Sequence, residues 1–415
     1  MKKRILKKVM IGLAALMGWM VFQGGLSRSQ AEEIKVGVIS TASGNLADLG
    51  GEERKGITMA AEEFNARGGV LGKKIRLYVE DDESDPSVAA RKARRLIEGD
   101  NVDFLVGVVS SSSAIAVGEV AERYGKVYIC TNANSDEITA AKAKRVLFRV
   151  PPDMSMVLRA NGPWVADHLG KKWYFFTHDY TAGWSATGWA RQVLKNKGGI
   201  DLGEIKVPMG TRDFSSFLLK ARAAKPDVLV ITVVGFDGQA LREQIYEFGT
   251  YKEMKIFFTL IDPEDSYSMG KEKAVGYPGQ EWNVQIGAPG VEEFRAKYKK
   301  RWPSSPYPEP GVNLYNGYLG MRELLRAVER AGTTKTANVI KALEGHVITD
   351  SLKHWPIKIR EWDHQFLTGI YLSREKTPSE MKFKSDFFEV ISKTDGATVA
   401  RTMEENPVKL GPYPE

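Results

Sequence analysis

The stretch VGVVSSSSAIAV, Val106–Val117, decides how this chain is read. An apolar run ends in four consecutive serines, Ser110 to Ser113, and a second apolar run follows. The first run has the length and β-branched content of a buried strand. The second carries Val117, Val120, Ala121 and Tyr124 at helical spacing and stops at Gly125. Strand, short polar turn and helix form the repeating unit of a parallel sheet. The serines therefore fall at a strand's carboxyl end and a helix's start. Free N–H groups and the positive end of the helix dipole favour an anion there, and the hydroxyls add donors. One serine would suffice as an N-cap, so both a plain capped turn and a carboxylate pocket fit the run.

The same rhythm continues on both sides. IKVGVIS (Ile34 to Ser40) reads as a strand, followed by a helix with Ile57, Ala60, Ala61 and Phe64 on one face and Gly68-Gly69 as its stop. KKIRLYVEDD is the next strand, and Asp85-Pro86 opens a helix with Asp as N-cap and Pro in the first turn. VDFLVGVV and KVYIC supply strands three and four. Pro151 and Pro152 then enforce an extended connection, and the rhythm restarts. KKWYFFTHD, VLVITVV and KIFFTLID read as strands, with helices between them. A second α/β unit thus begins near residue 151. Residues 289–345 read as helices without strands of their own, which must pack on an existing sheet. FLTGIYLS is a last strand-like run, and the polar tail from Glu375 reads as a surface wrap.

The first residues have the three parts of a secretory signal peptide: Lys2, Lys3, Arg4, Lys7 and Lys8, then an uncharged apolar run from Val9 to Phe22, then Ser29-Gln30-Ala31. Cleavage after Ala31 leaves 384 of the 415 residues, enough for two domains. It also removes six basic residues and no acid, so the formal charge of +7 falls to +1. A nearly neutral chain has no electrostatic footprint for nucleic acid. The single cysteine, Cys130, rules out an internal disulfide and reads as a small buried hydrophobe.

Other strand ends are polar too, among them Ser40–Gly51, Thr131–Ser135, Thr177–Ser185, Gly235–Gly238 and Asp262–Asp265. Two sheets with such loops can enclose a small molecule between them. Tyr180 and Trp184 sit with Gly183 after a strand, where a ligand could stack. The five histidines lack metal-ligand spacing, and neither a nucleophile elbow, a Walker loop nor a dinucleotide fingerprint is present. The expectation is no enzyme, no cofactor and no metal. The acidic run EDDESD, Glu80 to Asp85, fits a strand end running into an N-cap better than a calcium loop.

The ordered set IKVGVISTASGNLADLG, GITMAAEEFNARGGVLGKKIRLYVEDDESDP, VGVVSSSSAIAV, THDYTAGWS, DFSSFLLKARAAKPDVLVI and LLRAVERAG resembles periplasmic solute-binding proteins of the branched-chain amino acid type. DFSSFLL, WDHQ and KTPSEMK followed by DFFEVIS resemble a subgroup associated with aromatic acids. The resemblance implies a type I binding-protein fold, in which two doubly wound α/β lobes are joined by three hinge crossings and close on a ligand. It implies an N-terminal lobe of residues 32–150 plus about 284–355, and a C-terminal lobe of 151–283 plus about 356–415. It implies a monomer in the periplasm that delivers a small carboxylate ligand, an amino acid or an aromatic or aliphatic acid, to the permease and ATPase of an ABC importer. The same fold also serves as a sensor or regulator. By position, Ser111 and Ser112 match the residues that hold the ligand carboxylate. Asn132 and Asn134 fall where amino acid binders place a small residue and a threonine, Leu49 where an aromatic often sits, Phe236 near a ligand-facing aromatic, and Asp262 near the acid that receives an amino group. Ser84 and Ser110 stand at the places of a cysteine pair found in amino acid binders.

Overall fold

The computed structural model describes residues 33–415; the expected signal peptide lies outside the described residues. The first sheet holds β1 (Glu33–Ile39), β2 (Lys74–Glu80), β3 (Phe104–Gly107), β4 (Tyr128–Cys130) and β5 (Leu147–Arg149). Their order is β2-β1-β3-β4-β5, and β1, β3, β4 and β5 run parallel. Three helices alternate with them: α1 (Ala47–Ala66), α2 (Pro86–Glu98) and α3 (Ser111–Arg123). Asp85 caps α2 as its sequence predicts, accepting from the Ser87 and Val88 amides.

The second lobe repeats this plan. After α4 (Met154–His168) come β6 (Lys172–His178), α5 (Thr181–Asn196), β7 (Ile200–Val207), α6 (Ser215–Ala224), β8 (Val228–Ile231), α7 (Gly235–Glu247), β9 (Lys255–Phe258), α8 (Pro263–Met269) and β10 (Tyr277–Gln280). The order β7-β6-β8-β9-β10 is the same winding as in the first sheet. The expected pair of doubly wound lobes is therefore present. In such a sheet the ligand crevice opens where the winding reverses, outside the carboxyl ends of the strands flanking the first one. That point lies between β1 and β3 in one lobe, and between β6 and β8 in the other.

Helices α9 (Val291–Arg301), α10 (Val312–Ala331) and α11 (Thr336–Leu343) supply the segment without strands. Their apolar residues Phe294, Leu314, Tyr315, Leu319, Leu324 and Ile340 join the first lobe's core. Helix α10 lies against α1 at near contact. A Cβ on Gly56 would stand 1.9 Å from the Leu314 carbonyl, and one on Gly317 would stand 2.4 Å from that of Glu53. These two glycines let the helix backbones touch and bring the start of α10 to the crevice.

A small sheet of β11 (Val347–Ile348), β12 (Ile357–Ile359) and β13 (Phe366–Leu367) follows, with Ile348, Ile357, Ile359 and Phe366 packed into the first core. The chain then enters the second sheet at β14 (Ile370–Glu375), which pairs antiparallel with β10 and with β15 (Phe388–Thr394). The tail therefore contributes an edge strand and buried Phe387 and Phe388 rather than only a surface wrap. Burial raises the Cys130 thiol to about 11, which leaves it an unreactive core group.

Candidate functional site

A kink after β3 sets up the first wall. Gly107 has φ +119° and Val108 has φ +81°. A β-branched residue is rarely held there, at a cost of about 1–3 kcal/mol. The Val108 amide donates to the Ile39 carbonyl at 2.8 Å, which ties the kink to β1. The turn sends the chain into α3, whose first residue, Ser111, is buried and lines a cavity between the lobes. Its Oγ accepts from the Ser135 amide at 3.2 Å, leaving its hydrogen free to donate. The acidic run after β2 shapes the neighbouring loop: Asp82 accepts from the Thr41 hydroxyl at 2.8 Å, and Asp81 from the Ala42 amide at 2.8 Å.

On the opposite wall, His178 and Asp237 are buried together, with Nε2 and Oδ2 3.1 Å apart. They hold the loops after β6 and β8 side by side. Tyr180, next to α5, packs its ring edge-on to His178 and lines the cavity with Ala182, Thr232, Val234, Thr259 and Asp262. Burial, with Asp262 nearby, pushes the Tyr180 hydroxyl well above its ordinary range, so it stays a donor.

The cavity as it stands is about 40 Å³, against roughly 300–1,000 Å³ for a typical ligand pocket. A ligand therefore enters only when the lobes part. Bonds across the mouth hold them together: Asn45 Nδ2 donates to the Val234 carbonyl at 3.2 Å, and the Phe236 amide donates to the Asn45 carbonyl at 3.1 Å. Gly235 makes this approach feasible, with φ +68° and a hypothetical Cβ only 2.4 Å from the Asn45 carbonyl. A larger hollow of about 670 Å³ lies on the first lobe, lined by Tyr318, Asp350 and Trp355. Charges on its rim are paired, as in Arg326 with Asp350 at 2.7 Å, and it shares no lining residue with the cavity between the lobes.

Of the residues singled out in the sequence, Ser111, Asn132, Asn134, Leu49, Tyr180 and Asp262 come together around this cavity. Ser112, Trp184 and Phe236 do not line it. Ser112 Oγ pairs with Ser110 Oγ at 3.0 Å. Trp184 lies in the first turn of α5 rather than in a loop; it is 52% exposed and donates to Asp179 at 2.8 Å. Phe236 faces an outer hollow beneath the Arg212 guanidinium, 5.7 Å from its ring.

The asparagines are largely committed to neighbours. Asn132 Nδ2 donates to Glu53 at 3.0 Å, and its Oδ1 accepts from Asn316 at 3.2 Å. Asn134 Nδ2 donates to Glu281 at 2.6 Å and to the Pro152 carbonyl at 2.9 Å. Glu281, Asn313 and Asn316 also line the cavity and were not singled out. Glu281 follows β10 and begins the second crossing between lobes, where it accepts from Asn316 at 2.8 Å. Asn313 and Asn316 sit one turn apart in the otherwise apolar first half of α10, a spacing that places both on one helix face.

The wall is strongly acidic. Burial raises the Asp262 carboxyl well above its usual range, and Asp265, Glu281 and Asp48 add repulsion. Burial likewise raises Glu281, partly offset by Lys353. Burial lowers Lys353 in turn to about 7. Glu53, behind Asn132, is raised to about 7 by burial. No lysine or arginine lines the cavity among the described residues. Among those residues, no group of His, Cys, Asp and Glu is arranged to hold a metal ion.

Comparison with known proteins agrees with this architecture. The family model described as "Periplasmic binding protein" matches residues 33–377. A Leu/Ile/Val-binding protein homolog 7 from Brucella suis is 32% identical over 331 residues, spanning 75% of this chain and 80% of that protein. A periplasmic binding protein from Burkholderia mallei superposes with a TM-score of 0.84 at 29% identity, covering 91% of this chain and 99% of that one. A solute-binding protein of an ABC transporter from Rhodopseudomonas palustris, solved with 3,4-dihydroxybenzoic acid, has a TM-score of 0.79 at 25% identity, covering 88% of this chain and 98% of that one. This chain belongs to the periplasmic binding protein family, as a non-catalytic solute-binding protein of the type I fold related to the Leu/Ile/Val-binding proteins, a family whose members typically serve ABC importers in the periplasm.

Proposed function

We propose that this protein captures an α-amino acid, with its carboxylate at Ser111 and the start of α3 and its ammonium group at Asp262 and Glu281. One observation carries this reading: the cavity presents two carboxylates and no basic side chain. A simple organic anion about 5 Å from one of those carboxylates, if ionised, would meet about 3 kcal/mol of repulsion at an effective dielectric near 20. A zwitterion answers both walls, because its negative end meets helix N–H groups and its positive end meets the acids. Tyr180, Leu46, Leu49 and Val109 supply an apolar surround for the side chain. Delivery would follow closure of the lobes over the ligand, with the closed form recognised by the permease.

The test is Asp262→Asn. A charge-assisted hydrogen bond contributes about 1.5–3 kcal/mol. The variant should bind its amino acid about 10- to 150-fold more weakly in calorimetry. Unchanged affinity would remove Asp262 from the site and with it the zwitterion reading.

A further inference from the structure

The acids do not end at the cavity wall. Two residues beyond Asp262, Glu264 is 1% exposed, and its two carboxylate oxygens have no hydrogen-bond partner among the described residues. Its carboxyl lies flat against Gly311, immediately before the cavity-lining Val312 and Asn313. Asp262, Glu52 and Asp265 are close enough to repel it. Asp48 and Asp265 approach each other with only the neutral Gln239 amide between them, donating to each at 2.9 Å. These carboxylates come from both lobes, Asp48 and Glu52 from α1 and the others from α8 and the residue before it.

Nearby cations are already engaged. Lys55 sits 2.5 Å from one oxygen of Glu52, whose other oxygen is unpartnered. Arg242 pairs with Glu375 at 2.6 Å and offsets part of the Asp265 charge, with its Nε and Nη1 unpartnered, and Arg295 pairs with Glu309, so among the described residues no cation pairs directly with Glu264. The hydroxyl of Tyr267, buried near Glu264, also has no partner among the described residues. Burying like charges is costly, and such a set relieves the cost by holding protons or by meeting a cation; a cation of the ligand can take the place of those protons.

We propose that this buried cluster of Asp262, Glu264 and Asp265 with Asp48 and Glu52, closed while the lobes are together, receives a second cationic group, so that the ligand is an amino acid with a positively charged side chain. The inference rests on the amino acid reading above and extends it to the far end of the ligand. The α-ammonium stays at Asp262 and Glu281. The side-chain cation passes the wall formed by Val312 and Asn313 as the lobes open, and closure brings Asp48 and Glu52 over it. Glu264, with both oxygens unused, is its principal partner.

Lysine and norleucine differ only in the terminal ammonium and so isolate this claim. Titration of each into the mature protein by calorimetry should give lysine at least tenfold tighter binding. In Glu264→Gln that preference should fall by tenfold or more, while the melting temperature stays level or rises because an unpartnered carboxyl is gone. Glu264→Asp, which keeps the charge, should retain most of the preference. Norleucine binding as tightly as lysine overturns the second cation site and leaves the amino acid reading standing. Binding of 4-hydroxybenzoate with neither amino acid overturns both. A lysine preference that survives unchanged in Glu264→Gln removes Glu264 as the partner and overturns the assignment.

Discussion

The Asp237 amide, in the second lobe, donates to Asn45 Oδ1, in the first, at 3.0 Å across the mouth of the cleft. The same asparagine donates from Nδ2 to the Val234 carbonyl, so one side chain fastens the first turn of α7 to the loop after β1. These bonds exist only with the lobes together, and they weigh on closure rather than on folding.

Asn45→Ala should therefore weaken ligand binding without much loss of stability. Two hydrogen bonds at about 0.5–1.5 kcal/mol each shift the closing equilibrium by about 1–3 kcal/mol. The dissociation constant should rise about 5- to 150-fold, mostly through faster release, because interface changes act chiefly on off-rates. Gly235→Ala should behave alike, since its Cβ would collide with the Asn45 carbonyl. Stopped-flow release kinetics beside a thermal melt separates the two effects; a large fall in melting temperature with unchanged release would contradict this role.

Arg149 is the corresponding fixed point of the hinge. Fully buried, it donates to Gln365 Oε1 at 2.6 Å and Thr139 Oγ1 at 2.6 Å, and pairs with Asp153 at 3.3 Å. Gln365 in turn donates to the Pro151 carbonyl at 2.7 Å, so the first and third crossings are tied together. Arg149→Met leaves Asp153 with Arg401 alone at 2.9 Å. Breaking such a buried pair costs about 3–5 kcal/mol. Urea unfolding should register that loss, and a variant as stable as the parent would refute the hinge role.

Gly317→Leu tests how α10 is held. Its side chain would push the helix off α1 at the Glu53 carbonyl, moving Asn313 and Asn316 away from the cavity. Overpacking of this kind costs about 1–3 kcal/mol. Both melting temperature and ligand affinity should fall. Affinity unchanged alongside a lower melting temperature would mean that α10 does not position the site.

The acidic wall predicts a direction for pH. Asp265 is raised to about 7 by burial and by Asp48, with Arg242 opposing and Glu375 adding repulsion. A carboxyl raised in the folded state contributes stability that is full below about pH 4 and is lost as pH climbs toward 7. Glu53, also raised to about 7, acts in the same window. Binding of a cation requires the ionised form, so ligand affinity should move the opposite way, strengthening as pH rises from 5 to 8 by up to about tenfold per unit for each proton released. Calorimetry at several pH values reads this directly; affinity that weakens over that range would indicate an anionic ligand.

Much of this was legible in the sequence, and what was not has physical reasons. The strand-helix rhythm and Asp85 cap are local signals, and they found the main strands and the loops that line the cleft. Strand β10 was missed because Pro278 and Gly279 read as breakers, although Gly279 is required where a Cβ would sit 2.3 Å from the Thr259 carbonyl. Missing β10 meant missing Glu281 at its end. Strand β7 was missed because Asp201, Glu204 and Lys206 give an exposed edge strand little apolar alternation. The right loops did not reveal which side chains turn inward. Ser111 and Ser112 are adjacent in α3 but point about 100° apart, so one lines the cavity and the other faces Ser110. The acids around Glu264 were invisible because sequence does not say that α1 and α8 meet.

The most direct measurement is calorimetric titration of the mature protein with leucine, lysine and 4-hydroxybenzoate under identical conditions. An amino acid should bind in the micromolar range or tighter, above about 8 kcal/mol of binding free energy, while 4-hydroxybenzoate should not saturate at millimolar concentration. Tight binding of 4-hydroxybenzoate with no heat from either amino acid would contradict the claim that Asp262 and Glu281 face an ammonium group.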